Sequence, residues 1–105
     1  MAIAERALSR GWDWVLTPAE RVFLYLPFEH AEDLAQQDRS VELFESLGRD
    51  APPELRAVMA DYHHWAVRHR RVVARFGRFP DRNEVFGRPS TAEELAFLAS
   101  DEAPF

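Results

Sequence analysis

Apolar positions along this 105-residue chain recur at steps of three and four residues, which is the spacing of one face of an α helix. The longest series ends just before Gly77, a residue type that commonly terminates helices. Its members are Leu55, Val58, Met59, Tyr62, Trp65, Ala66, His69, Val72, Val73 and Phe76. The pattern predicts one long helix, from about Pro53 to Phe76, that forms the spine of the domain.

Start and stop signals predict four further helices. Thr17 and Glu20 match a capping box that opens one helix, and Pro27 should end it near Leu26. The other three are predicted over residues 3–8, 31–47 and 91–99. Inward-facing positions in these shorter helices include Val22, Phe23, Leu34, Phe44, Leu47 and Leu95. No segment shows the alternation of a strand, so the sequence predicts a single all-α domain, residues 1–105, with about five helices in antiparallel hairpins.

The composition excludes several classes of protein. The chain has no cysteine, which excludes disulfides, thiolate metal sites and cysteine nucleophiles. Its longest strongly apolar run, VFLYLPF, is far shorter than the roughly 20 residues that cross a bilayer. The first ten residues contain no apolar stretch of signal-peptide length. We therefore expect a cytoplasmic protein.

Positive charge is concentrated in one part of this acidic chain. The formal net charge is -5, yet residues 68–88 carry seven arginines and two acidic residues. All 13 basic residues are arginine. A GC-rich coding bias explains that usage, and so does a requirement for paired N–H donors toward anions, because guanidinium groups bind carboxylate and phosphate in a bidentate manner.

Residues 78–88, which we call the arginine turn, are the first candidate binding site. Arg78, Arg82 and Asn83 lie in this segment, which Pro80 stiffens. Three phenylalanines are expected to hold the segment against the core: Phe76, Phe79 and Phe86. Fixed guanidinium groups suit an acidic ligand, and they equally suit an internal Asp or Glu.

A second basic feature lies on the long helix. Four residues at steps of four, three and four form one stripe: His64, Arg68, Arg71 and Arg75. A solvated helix side accounts for such a stripe, and arginines in the last turn also complement the helix dipole.

Histidines are the candidates for acid–base chemistry. His30 is followed closely by Glu32, so a carboxylate could orient its imidazole. His69 lies on the apolar face of the long helix, where burial would shift its pKa. No two histidines have the four-residue spacing of a helical zinc pair, and no nucleotide-binding or serine-hydrolase motif is present. The sequence thus predicts no metal, no cofactor and no binding to nucleic acid or membrane.

Two blocks of the chain resemble a known family. The segments RVFLYLPFEHAEDLAQQDRSVELFESL and RHRRVVARFGRFPDRNEVFGRPSTAEELAFL look like the C-terminal half of the bacterial domain-of-unknown-function family 924, and the similarity runs from about Ala4 to Leu98. The resemblance implies a TPR-like all-helical fold. The family usually has His-Ser-Glu-Asp where this chain has Ala31 after His30, and it usually has a histidine in place of Asp81.

The same resemblance bears on partners. Family members usually carry an N-terminal half with its own Phe-Pro-Arg-Asn motif, which resembles FPDRN here and could face a groove shared with it. Exposed apolar surface is then expected where the other half would pack. We expect a homo-oligomer, or a partner chain that replaces the other half.

Three functions remain open at this point. The leading hypothesis is a non-catalytic module that binds an acidic small molecule or peptide group through Arg78, Arg82 and Asn83, with His30 and Glu32. The second is a metal-free hydrolase or isomerase that uses His30 or His69 as general base and Glu32 to orient it. The third is a structural interaction module in which the arginines pair internally.

Overall fold

The computed structural model describes residues 1–103, and this part of the chain is all-helical, as predicted. It contains five α helices: α1 (Ala2–Ser9), α2 (Pro18–Glu29), α3 (Leu34–Asp50), α4 (Arg56–Phe76) and α5 (Ala92–Leu98). Three short 3₁₀ helices connect them: Trp12–Val15, Pro53–Leu55 and Pro80–Arg82. Helices α2, α3 and α4 pack side by side as consecutive helical hairpins.

The first hydrophobic cluster fills the space between α2, α3 and the first half of α4. Its buried members are Val22, Tyr25, Phe44, Leu47, Ala51, Met59 and Ala66. Tyr25 is fully buried, and its hydroxyl donates to Asp13 (2.7 Å) and accepts from Arg21 Nε (3.0 Å). These bonds satisfy polar groups that burial would otherwise destabilise, so the connection before α2 is fixed to the core.

A second, smaller cluster lies at the other end of α4. It consists of Val72 and Val73 from α4, Phe79 from the arginine turn and Phe97 from α5. Phe76 packs against Phe97, with ring centroids 5.1 Å apart. This cluster holds the arginine turn and α5 against the last turns of α4.

Local signals placed most helix ends correctly. Thr17 with Glu20, and Thr91 with Glu94, form complete capping boxes at the starts of α2 and α5. Gly77 ends α4 with φ of 73°, a left-handed conformation that favours glycine.

The predicted boundaries of α2 and α3 were wrong, and α4 begins at Arg56, after a 3₁₀ turn over Pro53–Leu55, and not at Pro53. Helix α2 does not end at Pro27 but continues to Glu29, because Phe28 is fully buried and its packing outweighs the hydrogen bond that proline removes. Helix α3 starts at Leu34 because Asp33 caps it by accepting from the Gln36 N–H. It passes through Gly48 and ends before Pro52, which disfavours a helical conformation at Ala51.

Several residues predicted to face inward are exposed. Phe23 is 75% exposed, Leu95 58% and Phe86 60%, and Leu34 is exposed as well. Val58, Tyr62 and Trp65, although part of the apolar series of α4, are also exposed. The Cα positions span 44 × 29 × 19 Å, and the shortest dimension is about two helix diameters. In so thin a molecule each described helix keeps at least one side open to solvent, so part of a broad apolar face is exposed.

None of the described helices is both long enough and apolar enough to span a membrane. Within residues 1–103, no group of three or more acidic or histidine side chains is arranged to hold a metal ion.

Candidate functional site

A glutamate, two histidines and an arginine from three separate elements meet at one edge of the molecule. Glu29 is the last residue of α2 and His30 follows it, His69 lies in α4, and Arg82 lies in the arginine turn. The carboxylate of Glu29 approaches both imidazoles, with Oε2 3.8 Å from Nε2 of His30 and Oε1 3.8 Å from Nδ1 of His69. The imidazole centroids are 6.1 Å apart. We call these four residues the Glu–His–Arg cluster.

Glu29 has the most unusual environment in the cluster. Its side chain is 7% exposed, and its Oε1 has no hydrogen-bond partner among the described residues. Burial raises the pKa of Glu29 to about 7, because the charged form loses the hydration it has in water. Near neutral pH this carboxyl group therefore exchanges between its protonated and ionised forms.

Both histidines have lowered pKa values. Burial is the largest cause for each, and the positive charge of Arg82 contributes to both shifts. His69 Nδ1 lies 2.8 Å from the Trp65 carbonyl oxygen, which can only accept, so Nδ1 carries the proton. In the neutral imidazole the lone pair is then on Nε2. His30 differs in that its side chain is 53% exposed and reaches solvent.

Arg82 is held by a main-chain bond and an aromatic ring. Its Nη1 donates to the His30 carbonyl oxygen (2.9 Å), and its guanidinium carbon lies 4.6 Å from the centroid of the Phe79 ring. Within residues 1–103, no carboxylate lies within ion-pair distance of this guanidinium group. Arg82 thus keeps donors available for a further acceptor.

The other predicted ligand residues make internal bonds. Arg78 donates through Nε and Nη2 to the two carboxylate oxygens of Glu94 (2.9 and 2.8 Å) and also to the Pro89 carbonyl oxygen. This pairing is the main cause that lowers the pKa of Glu94 to about 2. Asn83 is buried, donates to Ser90 Oγ (3.1 Å) and accepts from Arg88 Nε (3.0 Å).

Glu32 connects the α2–α3 junction to the arginine turn. It accepts two hydrogen bonds from Arg88, each 3.0 Å, and a third from the Phe79 N–H (2.6 Å). The bonds from Arg88 are the main cause of its lowered pKa. The structure places Glu32 beside the cluster, but its oxygens are directed to the turn and not to a histidine.

Glu29 was missed by the sequence interpretation, which considered Glu32 as the carboxylate partner of His30. A signal was present, because Glu29 follows Val22 and Tyr25 at helical spacing and so falls on their buried side. Because α2 was predicted to end at Pro27, Glu29 was placed outside the helix and its buried position was not predicted.

The fold and cluster define an all-α protein with an ionisable, buried carboxyl group beside an arginine-bearing turn. The chain matches the model of a family described as bacterial protein of unknown function (DUF924) over residues 1–102, and it belongs to that family. The match extends over nearly the whole chain.

One solved structure is similar to this chain. It is titled structure of protein of unknown function ATU0120 from Agrobacterium tumefaciens, and the two share 43% sequence identity with a TM-score of 0.77. The similarity covers 91% of this chain and 48% of that one, so this chain spans about half the length of that relative. None of the curated proteins matches this chain.

Proposed function

We propose that the protein is a binding module for a small acidic ligand, a carboxylate or a phosphate, at the exposed side of the Glu–His–Arg cluster. The observation that carries the proposal is the position of Arg82, which is oriented by Phe79 and by the His30 carbonyl oxygen yet has no carboxylate partner within residues 1–103. The exposed imidazole of His30 lies beside it and would supply a second donor. Arg78, Asn83 and Glu32 support this site by fixing the arginine turn.

Arg82→Gln is expected to abolish ligand binding at this site. Inorganic phosphate and malonate are suitable probes, and the imidazole NMR signals of His30 and His69 are the readout. A bound anion stabilises imidazolium, so the pKa values of His30 and His69 should rise toward their ordinary value in the wild type and not in the variant.

Arg78→Gln is the matched control, because it also removes one positive charge from the turn. It should lower the melting temperature by breaking the pair with Glu94, while the response of His30 to phosphate remains. An unchanged His30 titration in the wild type, at millimolar phosphate and malonate, would show that the cluster is not an anion site.

Acid–base catalysis is the second candidate, and the environment of Glu29 favours it. A carboxyl group that ionises near neutral pH, 3.8 Å from two imidazoles, is suited to accept and return a proton. A time course on the same NMR samples, after addition of a substrate analogue, separates the two functions. A binding module returns the probe unchanged, whereas a catalyst converts a substrate analogue over time.

We further propose that this chain corresponds to the C-terminal half of longer family members and that two copies associate. Its 48% coverage of the longer relative supports a match to half of such a chain, and exposed apolar residues near the N-terminal helices support the association. These residues include Ile3, Trp12, Trp14 and Phe23. A TPR-like arrangement and a cytoplasmic location stay predictions.

Light scattering is expected to give a mass of about twice the 12.2 kDa of one chain. Phe23→Ser should shift the protein toward the monomer, because it removes an apolar side chain that is 75% exposed in a single copy. Leu95→Ser, at a similarly exposed position on α5, is the control and should leave the mass unchanged. A mass of 12.2 kDa at all concentrations would contradict the association.

A further inference from the structure

A cavity of about 510 Å³ lies between α4, α5 and the segment that follows α5, away from the Glu–His–Arg cluster. The residues that line it are His64, Arg68, Arg71, Val72, Arg75, Phe97, Asp101 and Glu102. We call it the basic groove. At 100° per residue, the stripe from His64 to Arg75 lies on a different side of α4 from His69, roughly a third of a turn away.

The arginines that line the groove have different interaction partners. Arg68 donates to the carbonyl oxygens of Asp101 and Glu102 (3.4 and 3.2 Å), so it holds the last described segment in place as one wall. Arg71 is exposed, and the guanidinium carbon of Arg75 lies 4.7 Å from the centroid of the Phe76 ring. Within residues 1–103, neither Arg71 nor Arg75 forms an ion pair with a carboxylate.

The lining indicates the kind of ligand. The volume falls in the range of about 300–1,000 Å³ that is typical of small-molecule sites. Two guanidinium groups one helical turn apart suit one phosphate or carboxylate group. The aliphatic stems of the arginines, together with the small exposed parts of Val72 and Phe97 (3% and 7% exposed), add apolar surface that an inorganic anion cannot use.

The acidic residues of the groove exclude other ligands. Asp101 and Glu102 add negative charge to the wall of the groove that Arg68 holds in place. A nucleic acid or an acidic peptide carries charge along its length and would be repelled there, whereas a ligand with a single anionic end avoids this repulsion.

We propose that the basic groove is a second binding site, for a small organic anion that has one phosphate or carboxylate group and an apolar body. Arg71 and Arg75 bind the anionic group, and the arginine stems with the exposed edges of Val72 and Phe97 contact the body. This site is distinct in position and in ligand chemistry from the one at Arg82, which takes the anionic group alone.

The chain has four histidines, and they allow the two sites to be observed separately in one NMR spectrum. His64 lines the basic groove, whereas His30 and His69 belong to the Glu–His–Arg cluster. Phenyl phosphate is the main probe. Benzoate tests whether a carboxylate replaces the phosphate, and benzyl alcohol tests the apolar body alone.

We expect phenyl phosphate to perturb the signals of His64 and to bind at least tenfold more weakly to Arg71→Gln and Arg75→Gln, since each removes charged hydrogen bonds. Arg75→Lys keeps the charge without the forked donor pair and should give an intermediate affinity. Arg56→Gln, at the start of the same helix, changes the net charge equally and should bind as the wild type does.

The proposal is overturned if His64 does not respond to millimolar phenyl phosphate, or if Arg56→Gln weakens binding as much as Arg75→Gln does. It is also overturned if benzyl alcohol binds as tightly as phenyl phosphate. Changes in the signals of His30 and His69 without a change at His64 would contradict the proposed site in the basic groove and support ligand binding at Arg82. The two proposals therefore fail independently.

Discussion

Replacing Glu29 with glutamine is expected to stabilise the protein at pH 8 by about 3 kcal/mol and to change it little at pH 4, because the folded state carries Glu29 with a pKa of about 7 where a free glutamate has 4.5. A raised pKa means that the folded state favours the protonated form. The contribution of Glu29 to stability is thus fully present below pH 4.5 and is lost as the pH rises through about 7. Glutamine resembles the protonated form at every pH.

Thermal unfolding between pH 4 and pH 8 measures this effect. The melting temperature of Glu29→Gln should exceed that of the wild type by about 10 °C or more at pH 8. The quantity to compare is the difference between the two proteins at each pH. His30 and His69 have lowered pKa values, so the stability that these histidines contribute is lost in both proteins as the pH falls through those pKa values.

Glu42→Gln is the control, because Glu42 is an exposed carboxylate on α3. Its free energy of unfolding should stay within about 0.5 kcal/mol of the wild-type value at every pH. A Glu29→Gln curve that runs parallel to the wild type would show that Glu29 is ionised in the folded protein at ordinary pH, and it would remove the basis for acid–base chemistry in the cluster.

Phe79→Ala is expected to lower the free energy of unfolding by about 3–5 kcal/mol, the usual cost of deleting a fully buried phenylalanine. Phe79 is 2% exposed and packs in the second hydrophobic cluster. Its ring also contacts the imidazole of His69 (centroids 5.6 Å apart) and supports the guanidinium group of Arg82. The substitution should therefore loosen the arginine turn as well as the core.

Phe86→Ala is the matched control, from the same turn. The Phe86 ring is 60% exposed, and its main contact is with Arg88, whose guanidinium carbon lies 5.1 Å from the ring centroid. A cation–π contact at an exposed site contributes about 0.5–1 kcal/mol, so a loss of no more than that is expected in urea unfolding. Equal losses for the two variants would mean that Phe86 is covered in solution, as the sequence had predicted.

The features predicted correctly from sequence are those that depend on near neighbours in the chain. The capping boxes of Thr17 and Thr91 and the stop at Gly77 need only residues within one turn of a helix. The continuation of α2 past Pro27 was missed because it depends on the burial of Phe28 in the folded protein.

The partners of the arginines could not be predicted for a related reason. The sequence showed where positive charge accumulates, but Arg88 pairs with Glu32, 56 residues earlier, and Arg78 with Glu94, 16 residues later. Arg71 and Arg75, which have no carboxylate partner within residues 1–103, belong instead to the helix stripe for which a solvated surface was a sufficient explanation. Which arginines are available to a ligand is decided by tertiary distances.

The bonds that join the α2–α3 junction to the arginine turn are all polar. They run from Arg88 and the Phe79 N–H to Glu32, and from Arg82 to the His30 carbonyl oxygen. Acid and salt weaken such bonds, whereas the apolar packing inside each hydrophobic cluster is much less sensitive to them. The second hydrophobic cluster still holds the arginine turn and α5 on α4, so acid and salt should detach the turn from the α2–α3 junction without releasing α5 from α4.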